Sequence, residues 1–316
     1  MKTRFREYIL EGVLLVLCIF LAFRAPRFLT TLNLLNVLHN VSMQGVIALG
    51  MTMVIIAGEI DLSVGSAVAF AGCLTAWCTE YFVGMGWPIA GAIVCAILVA
   101  LVAGILTGTI SGMLRVRFAV PTFISTLAWM TVLRGASGLI TNGFPLTPFP
   151  DWFSFFGAGY LWKIPVPALV FAVVFFVMYF IMDYTTFGRS IYAVGGNAEA
   201  ARLSGINVTF VKIAVMIIVA ILAVMAGVMQ SSQIMAGSDR TATGWELDVI
   251  AAVIIGGTSL MGGAGRIWGT LIGVIFLGVL VNGMTLLNIS EYWQQVVRGV
   301  LILTAVLMNV SPGNRK

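Results

Sequence analysis

The sequence predicts an all-α, polytopic transmembrane helical bundle of about ten spans, with both termini on the cytoplasmic side. Three observations predict it. Hydrophobic residues make up 60% of the 316 positions and charged residues only 9%, against about 25% charged in soluble domains. So few charges cannot coat a water-facing surface of this size, and most of it must meet lipid. Apolar runs approaching the ~20 residues needed to cross a bilayer recur along the chain. Lysine and arginine are shared unequally between alternate connecting segments.

The expected spans are 9–23, 41–57, 60–79, 87–112, 119–140, 165–182, 210–232, 246–260, 267–287 and 292–310, with eight as the fallback count. Lys2, Arg4 and Arg6 precede the first, which ends Leu21-Ala22-Phe23-Arg24-Ala25-Pro26. It has no small-x-small cleavage site, so it reads as a retained helix rather than a cleaved signal. Thr30 to Asn40 mixes polar and apolar residues, as an interfacial helix or a wet extension of the second span does.

With the N-terminus inside, the cytoplasmic segments hold Lys2, Arg4, Arg6, Arg115, Arg117, Arg189, Arg202, Lys212, Arg266, Arg315 and Lys316. The outer segments hold Arg24, Arg27, Lys163 and Arg240, and Arg134 and Arg298 fall within spans. This bias sets the orientation and requires an even number of spans. The net charge of +5 is spread between apolar runs, with no basic stripe to bind nucleic acid. Cys18, Cys73, Cys78 and Cys95 lack metal-ligand spacing and read as free thiols, and the one histidine, His39, excludes a histidine cluster.

The outer loop from Thr141 to Pro167 carries Phe144, Phe149, Trp152, Phe153, Phe155, Phe156, Tyr160 and Trp162. Aromatic rings favour the headgroup layer, so this loop is expected along the outer face, as an anchor or a landing surface for an external partner. A weak internal echo links Gly58-Glu-Ile-Asp-Leu62-Ser-Val-Gly65 with Gly256-Gly-Thr-Ser-Leu260-Met-Gly-Gly263.

The longest polar interruption on the inside runs from Asp183 to Lys212 and contains a short-helix signature. Asn197 is a good N-cap, Glu199 suits the first turn, Ala198, Ala200 and Ala201 favour helix, Arg202 lies near the end and Gly205 suits the left-handed cap. Glu199 and Arg202 stand at i, i+3 and can pair. A helix of about two turns does not persist alone in water. It must rest on its own membrane domain or dock in a groove of a cytoplasmic protein.

Val194-Gly-Gly-Asn-Ala-Glu-Ala-Ala-Arg-Leu-Ser-Gly-Ile-Asn-Val208 closely resembles the coupling-loop motif of the ribose-type ABC permeases, part of the broad group that includes branched-chain amino acid permeases. Gly50-Met-Thr-Met-Val-Ile-Ile-Ala-Gly-Glu-Ile-Asp-Leu-Ser-Val-Gly-Ser66, Gly244-Trp-Glu-Leu-Asp-Val-Ile-Ala-Ala-Val253 and Gly256-Gly-Thr-Ser-Leu-Met-Gly-Gly-Ala-Gly-Arg266 resemble the same family in the family's order, over roughly residues 30 to 310. The resemblance implies one transmembrane permease domain of a bacterial inner-membrane importer for a simple sugar. ATP would be hydrolysed on a separate cytoplasmic ABC ATPase, a periplasmic or extracellular binding protein would deliver the sugar, and a second permease copy or paralogue would complete the pathway. This chain would bind no cofactor; it has no G-x4-G-K-[ST] phosphate loop. Carried across by position, Gly196, Asn197, Glu199, Ala200, Arg202, Leu203, Ser204 and Gly205 would form the ATPase-coupling helix within a loop at 183–212.

Glu59, Asp61, Ser63 and Ser66 interrupt the apolar pattern from Gly58 to Ser66; Ser63 or Asp61 is expected to cap the third span, and the alternative gives this turn, with Asp61, Ser63 and Gly65, a part in an inner gate or ATPase contact. Gly256, Gly257, Gly262 and Gly263 form a turn that permits close helix approach, with a gate role as the alternative. A buried cation in the bilayer costs at least ~2.5–3.5 kcal/mol at the centre, so Arg298 is expected to bridge to Glu246 or Asp248, to snorkel, or to line the passage with Arg134. A sugar passage needs hydroxyls, amides and aromatic faces without deep affinity. Gln44, Thr126, Trp129, Asn142, Gln230 and Asn282 are the candidates, together with the two arginines.

Two other classes compete. An ion-driven carrier usually places acids or broken helices at the midplane, whereas most acids here map near interfaces. An intramembrane enzyme lacks support from any histidine cluster, mid-depth carboxylate pair or nucleophile motif. A zwitterionic amino acid would want fixed charges in the passage, for which Arg134 or Arg298 would serve; the coupling motif favours a sugar.

Overall fold

The structure, a computed structural model, describes residues 9–310. Lys2, Arg4, Arg6, Arg315 and Lys316, which carry part of the expected orientation, lie outside the described residues. Among the described residues the chain forms an all-α bundle in which seven helices are long and apolar enough to cross a membrane.

Helix α1 (Ile9–Arg24) leads through a short bend to α2 (Thr31–Ile56). Thr30 caps α2 by accepting from the Asn33 N–H, so the mixed segment is an extension of the second span rather than a separate interfacial helix. From Val41 to Ile56 every residue of α2 except Gln44 is buried. A helix apolar all round belongs at the centre of a bundle. Packed around α2 are α7 (Val166–Tyr184), α10 (Val208–Ile234), α11 (Trp245–Ile255) and α12 (Ile267–Leu286).

Helices α3 (Val64–Gly84), α4 (Ile89–Phe118) and α5 (Thr122–Thr141) form a second group against α10. Three glycines spaced four apart on α4 make the closest approach. Gly104 faces Val224 and Ala220, Gly108 faces Met216 and Ile217, and Gly112 faces Ile213. Small residues at this spacing let two backbones meet where apolar side chains gain nothing by leaving lipid.

At the aromatic end, a 3₁₀ turn (Asp151–Ser154), α6 (Phe155–Ala158) and the hairpin β1 (Tyr160–Leu161) with β2 (Ile164–Pro165) link α5 to α7. Phe153 is fully buried and stacks on Phe149 at 4.3 Å, while Phe144 and Trp162 point outward. At the opposite, basic end, α8 (Thr186–Gly196) and α9 (Ala198–Leu203) join α7 to α10. The chain closes with α13 (Glu291–Val310).

Several expected spans shift their bounds, and two of the shifts bear on the site. The third span begins at Val64 rather than 60, because Asp61 Oδ1 accepts from both the N–H (2.8 Å) and the hydroxyl (2.6 Å) of Ser63. Ser63 stands at the N-cap position, yet its hydroxyl makes no cap bond to the helix; Asp61 organises the turn instead. The expected span 246–260 is a helix of 11 residues, about 16 Å long. Gly244 (φ 84°) starts it and Gly257 (φ 90°) follows its end. The preceding segment 235–244 descends into the bundle, with Gly237 against Cys73 and Ala76 of α3 and Ala242 against Gly65. Irregular backbone is tolerated at membrane depth only where protein buries it and satisfies its polar groups.

Candidate functional site

Because α2 starts at the aromatic end and α12 ends there, the first half of one meets the second half of the other. Between them opens a cavity of about 430 Å³, within the ~300–1,000 Å³ of ligand pockets. Helix α2 contributes His39, Asn40 and Gln44, and α10 contributes Gln230 and Gln233. Trp245 and Asp248 come from the short α11, Asn282 and Thr285 from α12, and Arg298 from α13.

Several of these polar groups are held by neighbours. Arg298 Nη1 donates to both oxygens of Asp248, at 2.8 and 3.1 Å, and the Gln44 amide donates to the same carboxylate at 3.4 Å. Asp248, rather than Glu246, is therefore the acid that offsets the Arg298 charge. Arg298 Nε is buried and has no hydrogen-bond partner among the described residues. Asn282 exchanges two amide hydrogen bonds with Asn33 on α2. His39 Nε2 lies 2.7 Å from the carbonyl of Gly157 and, since a carbonyl only accepts, donates to it. This bond ties the cavity wall to the aromatic segment, whose Gly157 also presses on α10 at Met229 and Gln233.

Of the residues proposed for a passage from sequence, Gln44, Gln230, Asn282 and Arg298 line this cavity. Thr126, Trp129 and Arg134 lie elsewhere. Thr126 accepts from the Leu62 N–H at 3.0 Å and donates to Thr122, holding the turn before α3. Trp129 is half-buried against the core, and Asn142 is the left-handed cap of α5. Arg134 Nη1 donates to the carbonyls of Asp239 and Thr241 in the descending segment. It supplies the donors that irregular backbone needs at depth, and so supports the segment that delivers Trp245 and Asp248.

Sequence reasoning missed His39, Asn40, Gln233, Trp245 and Thr285. A signal was present: Asn40 and Gln44 stand four apart, Gln230 and Gln233 three apart, and Asn282 and Thr285 three apart. Each pair is a one-face polar stripe on an apolar helix.

At the basic end, Asn197 caps α9 by accepting from the Ala200 N–H at 2.9 Å, and Gly205 takes φ 85°. Arg202 pairs with Glu199 at 2.6 Å and holds its carboxyl below the usual range. Ala201 is buried against the protein, whereas Leu203 is 76% exposed. The preceding α8 is seated firmly. Gly195 meets the carbonyl of Ile56 and the backbone of Gly263, the Gly263 N–H donates to Ile56 O at 2.9 Å, and the Tyr192 hydroxyl donates to Gly265 O at 3.0 Å. Burial pushes the Tyr192 phenol pKa up. Gly262 (φ 81°) packs on both Gly195 and Gly58, so the two glycine-rich stretches that echo each other in sequence meet under α8. Gly256 packs against Gly269, and Gly65 against Ala242 and Glu246.

A cavity with amides and an ion pair in its wall, inside a multi-pass helical bundle and beside a helix too short to cross the bilayer, is the arrangement of a membrane-embedded transport protein. Residues 33–306 match the family model described as branched-chain amino acid transport system / permease component, and the chain belongs to this permease family. It is 44% identical to the ribose import permease protein RbsC of Bacillus subtilis (strain 168), covering 94% of this chain and 90% of that protein. It is 42% identical to RbsC of Escherichia coli (strain K12), over 94% and 91%, and 32% identical to the xylose transport system permease protein XylH of the same strain, over 91% and 87%. No solved structure matches the chain.

Proposed function

We propose that the chain is the membrane-spanning subunit of an ATP-driven ABC importer for a simple sugar, and that the cavity between α2, α10, α11, α12 and α13 is its substrate chamber. The observation that carries the sugar reading is the Asp248–Arg298 pair. These full charges on the cavity wall bind each other, so neither is free to hold the ammonium or carboxylate of an amino acid. The remaining polar lining is rich in amides, which both donate and accept as sugar hydroxyls do. Trp245 adds an aromatic face. The ribose and xylose permeases among the relatives support the same class.

The chain acts as one permease domain in the bacterial inner membrane, with about ten membrane segments, of which α11 is a half-length one. Both termini and the basic end face the cytoplasm, which agrees with Arg115, Arg117, Arg189, Arg202, Lys212 and Arg266 gathering there. The segment 183–212 is the coupling loop. Asn197, Glu199, Ala200, Arg202, Leu203, Ser204 and Gly205 present α9 to a cytoplasmic ATPase, on which ATP is hydrolysed. Gly58 to Gly65 and Gly256 to Gly263 form the inner gate beneath it. No cofactor is required of this chain. A binding protein delivers sugar at the aromatic end, and a second permease copy or paralogue completes the importer. The chamber is tested by Gln230→Leu and Gln44→Leu. Both should raise the sugar concentration for half-maximal uptake at least ten-fold while ATP hydrolysis by the assembled complex stays within two-fold; unchanged half-saturation in both would reject the chamber.

A further inference from the structure

Glu59 is 3% exposed, yet three helices reach its carboxylate. Arg115 from the end of α4 donates through Nε at 2.8 and 3.1 Å, Lys212 from the first turns of α10 donates at 2.5 Å, and Thr122 from the start of α5 donates at 2.8 Å. Glu59 itself lies in the turn between α2 and α3, two residues before Asp61. A buried carboxylate is stable only when its oxygens are compensated, and removing one partner leaves charge uncovered. Four backbone segments are thus pinned at one point.

Lys212 makes this node more than a structural staple. It stands four positions after Val208, the first residue of α10, and α9 ends at Leu203, a short link before that. Only Ser204 to Asn207 join α9 to α10, a link short enough to pass a displacement of α9 to the start of α10. On the side toward the cavity, α2 is buried from Gly45 to Ile56, between the chamber and the basic end. A device that links ATPase movement to inner opening needs different contacts in its two states, and a compensated ion pair next to the moving segment supplies them.

We propose that Glu59 is the positioning residue of the inner gate: its pairing with Lys212 latches the coupling segment to α2, α3, α4 and α5 in the closed state, and movement of the coupling segment releases it. This rests on the reading of 183–212 as the ATPase contact. Glu59 touches no substrate; it acts through Lys212.

The test uses the full transporter, reconstituted in proteoliposomes with its ATPase and binding protein, and D-ribose as the transported probe. Ribose moved and ATP hydrolysed are measured together, with the amount of assembled complex. Lys212→Met should lower ribose moved per ATP at least ten-fold while hydrolysis persists, and Lys212→Arg should keep the ratio within two-fold. Arg115→Met cuts the other cation but not the tie to the coupling segment, and should keep the ratio within about three-fold. If Lys212→Met assembles poorly, Glu59→Gln combined with Lys212→Met removes both charges and should show the same uncoupling. A wild-type ratio in Lys212→Met, or in the double variant, overturns the latch. So does a fall of uptake and hydrolysis in parallel with assembled complex for Lys212→Met and Arg115→Met alike, the signature of a merely structural node. Replacing Ala200 and Ala201 by glycine tests the underlying reading separately. If that pair leaves the ratio intact, the coupling assignment fails; if it uncouples and Lys212→Met does not, only the latch fails.

Discussion

Asn33 and Asn282 exchange two amide hydrogen bonds, 2.9 and 2.8 Å long, across 249 positions of sequence. The pair joins the first turn of α2 to the last third of α12 and fixes the rim of the cavity. Asn282→Leu leaves the Asn33 amide with only the Phe28 carbonyl. An orphaned buried amide costs ~1–3 kcal/mol. We expect a lower melting temperature in detergent for either single leucine variant, and a double variant closer to wild type than the sum of the singles.

The Asp248–Arg298 pair gives a second expectation. Asp248→Ala strands the cation, whereas Asp248→Asn with Arg298→Gln removes both charges and keeps the shapes. Breaking a fully buried pair costs ~3–5 kcal/mol; this one is partly open to the cavity, so the single variant should lose about 1–3 kcal/mol and the double variant less. Thermal unfolding of the purified variants measures both.

Arg134 supports the descending segment by donating to the carbonyls of Asp239 and Thr241. Arg134→Met should release that segment and misplace Trp245 and Asp248. The expected outcome is a half-saturation concentration for sugar raised about ten-fold, with normal insertion and assembly. Uptake kinetics over a range of ribose concentrations measure it.

The α4–α10 contact depends on absent side chains. A Cβ at Gly108 would stand 2.6 Å from Met216 O and 2.9 Å from Ile217 Cα. Overpacking of this kind costs ~1–3 kcal/mol or more, so Gly108→Leu should reduce the melting temperature and the folded yield. Gly135, with nothing within 4 Å of its Cβ position, should accept alanine without loss.

How much of this was legible depended on whether the cause was local. The α9 stub was readable because Asn197, Glu199, the alanines and Gly205 act within one turn of chain. Long spans were readable because lipid demands uninterrupted apolar runs. The short α11 was not. A hydropathy window carries the expected span across Gly256-Gly257-Thr258-Ser259 to Leu260, whereas the helix stops at Ile255 and the left-handed backbone at Gly257 follows. Sequence alone makes Arg134 a passage residue; its partners are backbone carbonyls a hundred residues distant, which no spacing reveals. Glu59 was noted as a break in the apolar pattern, but its three partners come from separate helices.

The most direct measurement is uptake of simple sugars, ribose and xylose among them, into proteoliposomes holding this chain with its ATPase and binding protein, with and without ATP and with a protonophore. The account expects uptake only when ATP is hydrolysed, unaffected by collapse of the proton gradient. Uptake that proceeds without nucleotide and stops with the protonophore would contradict it.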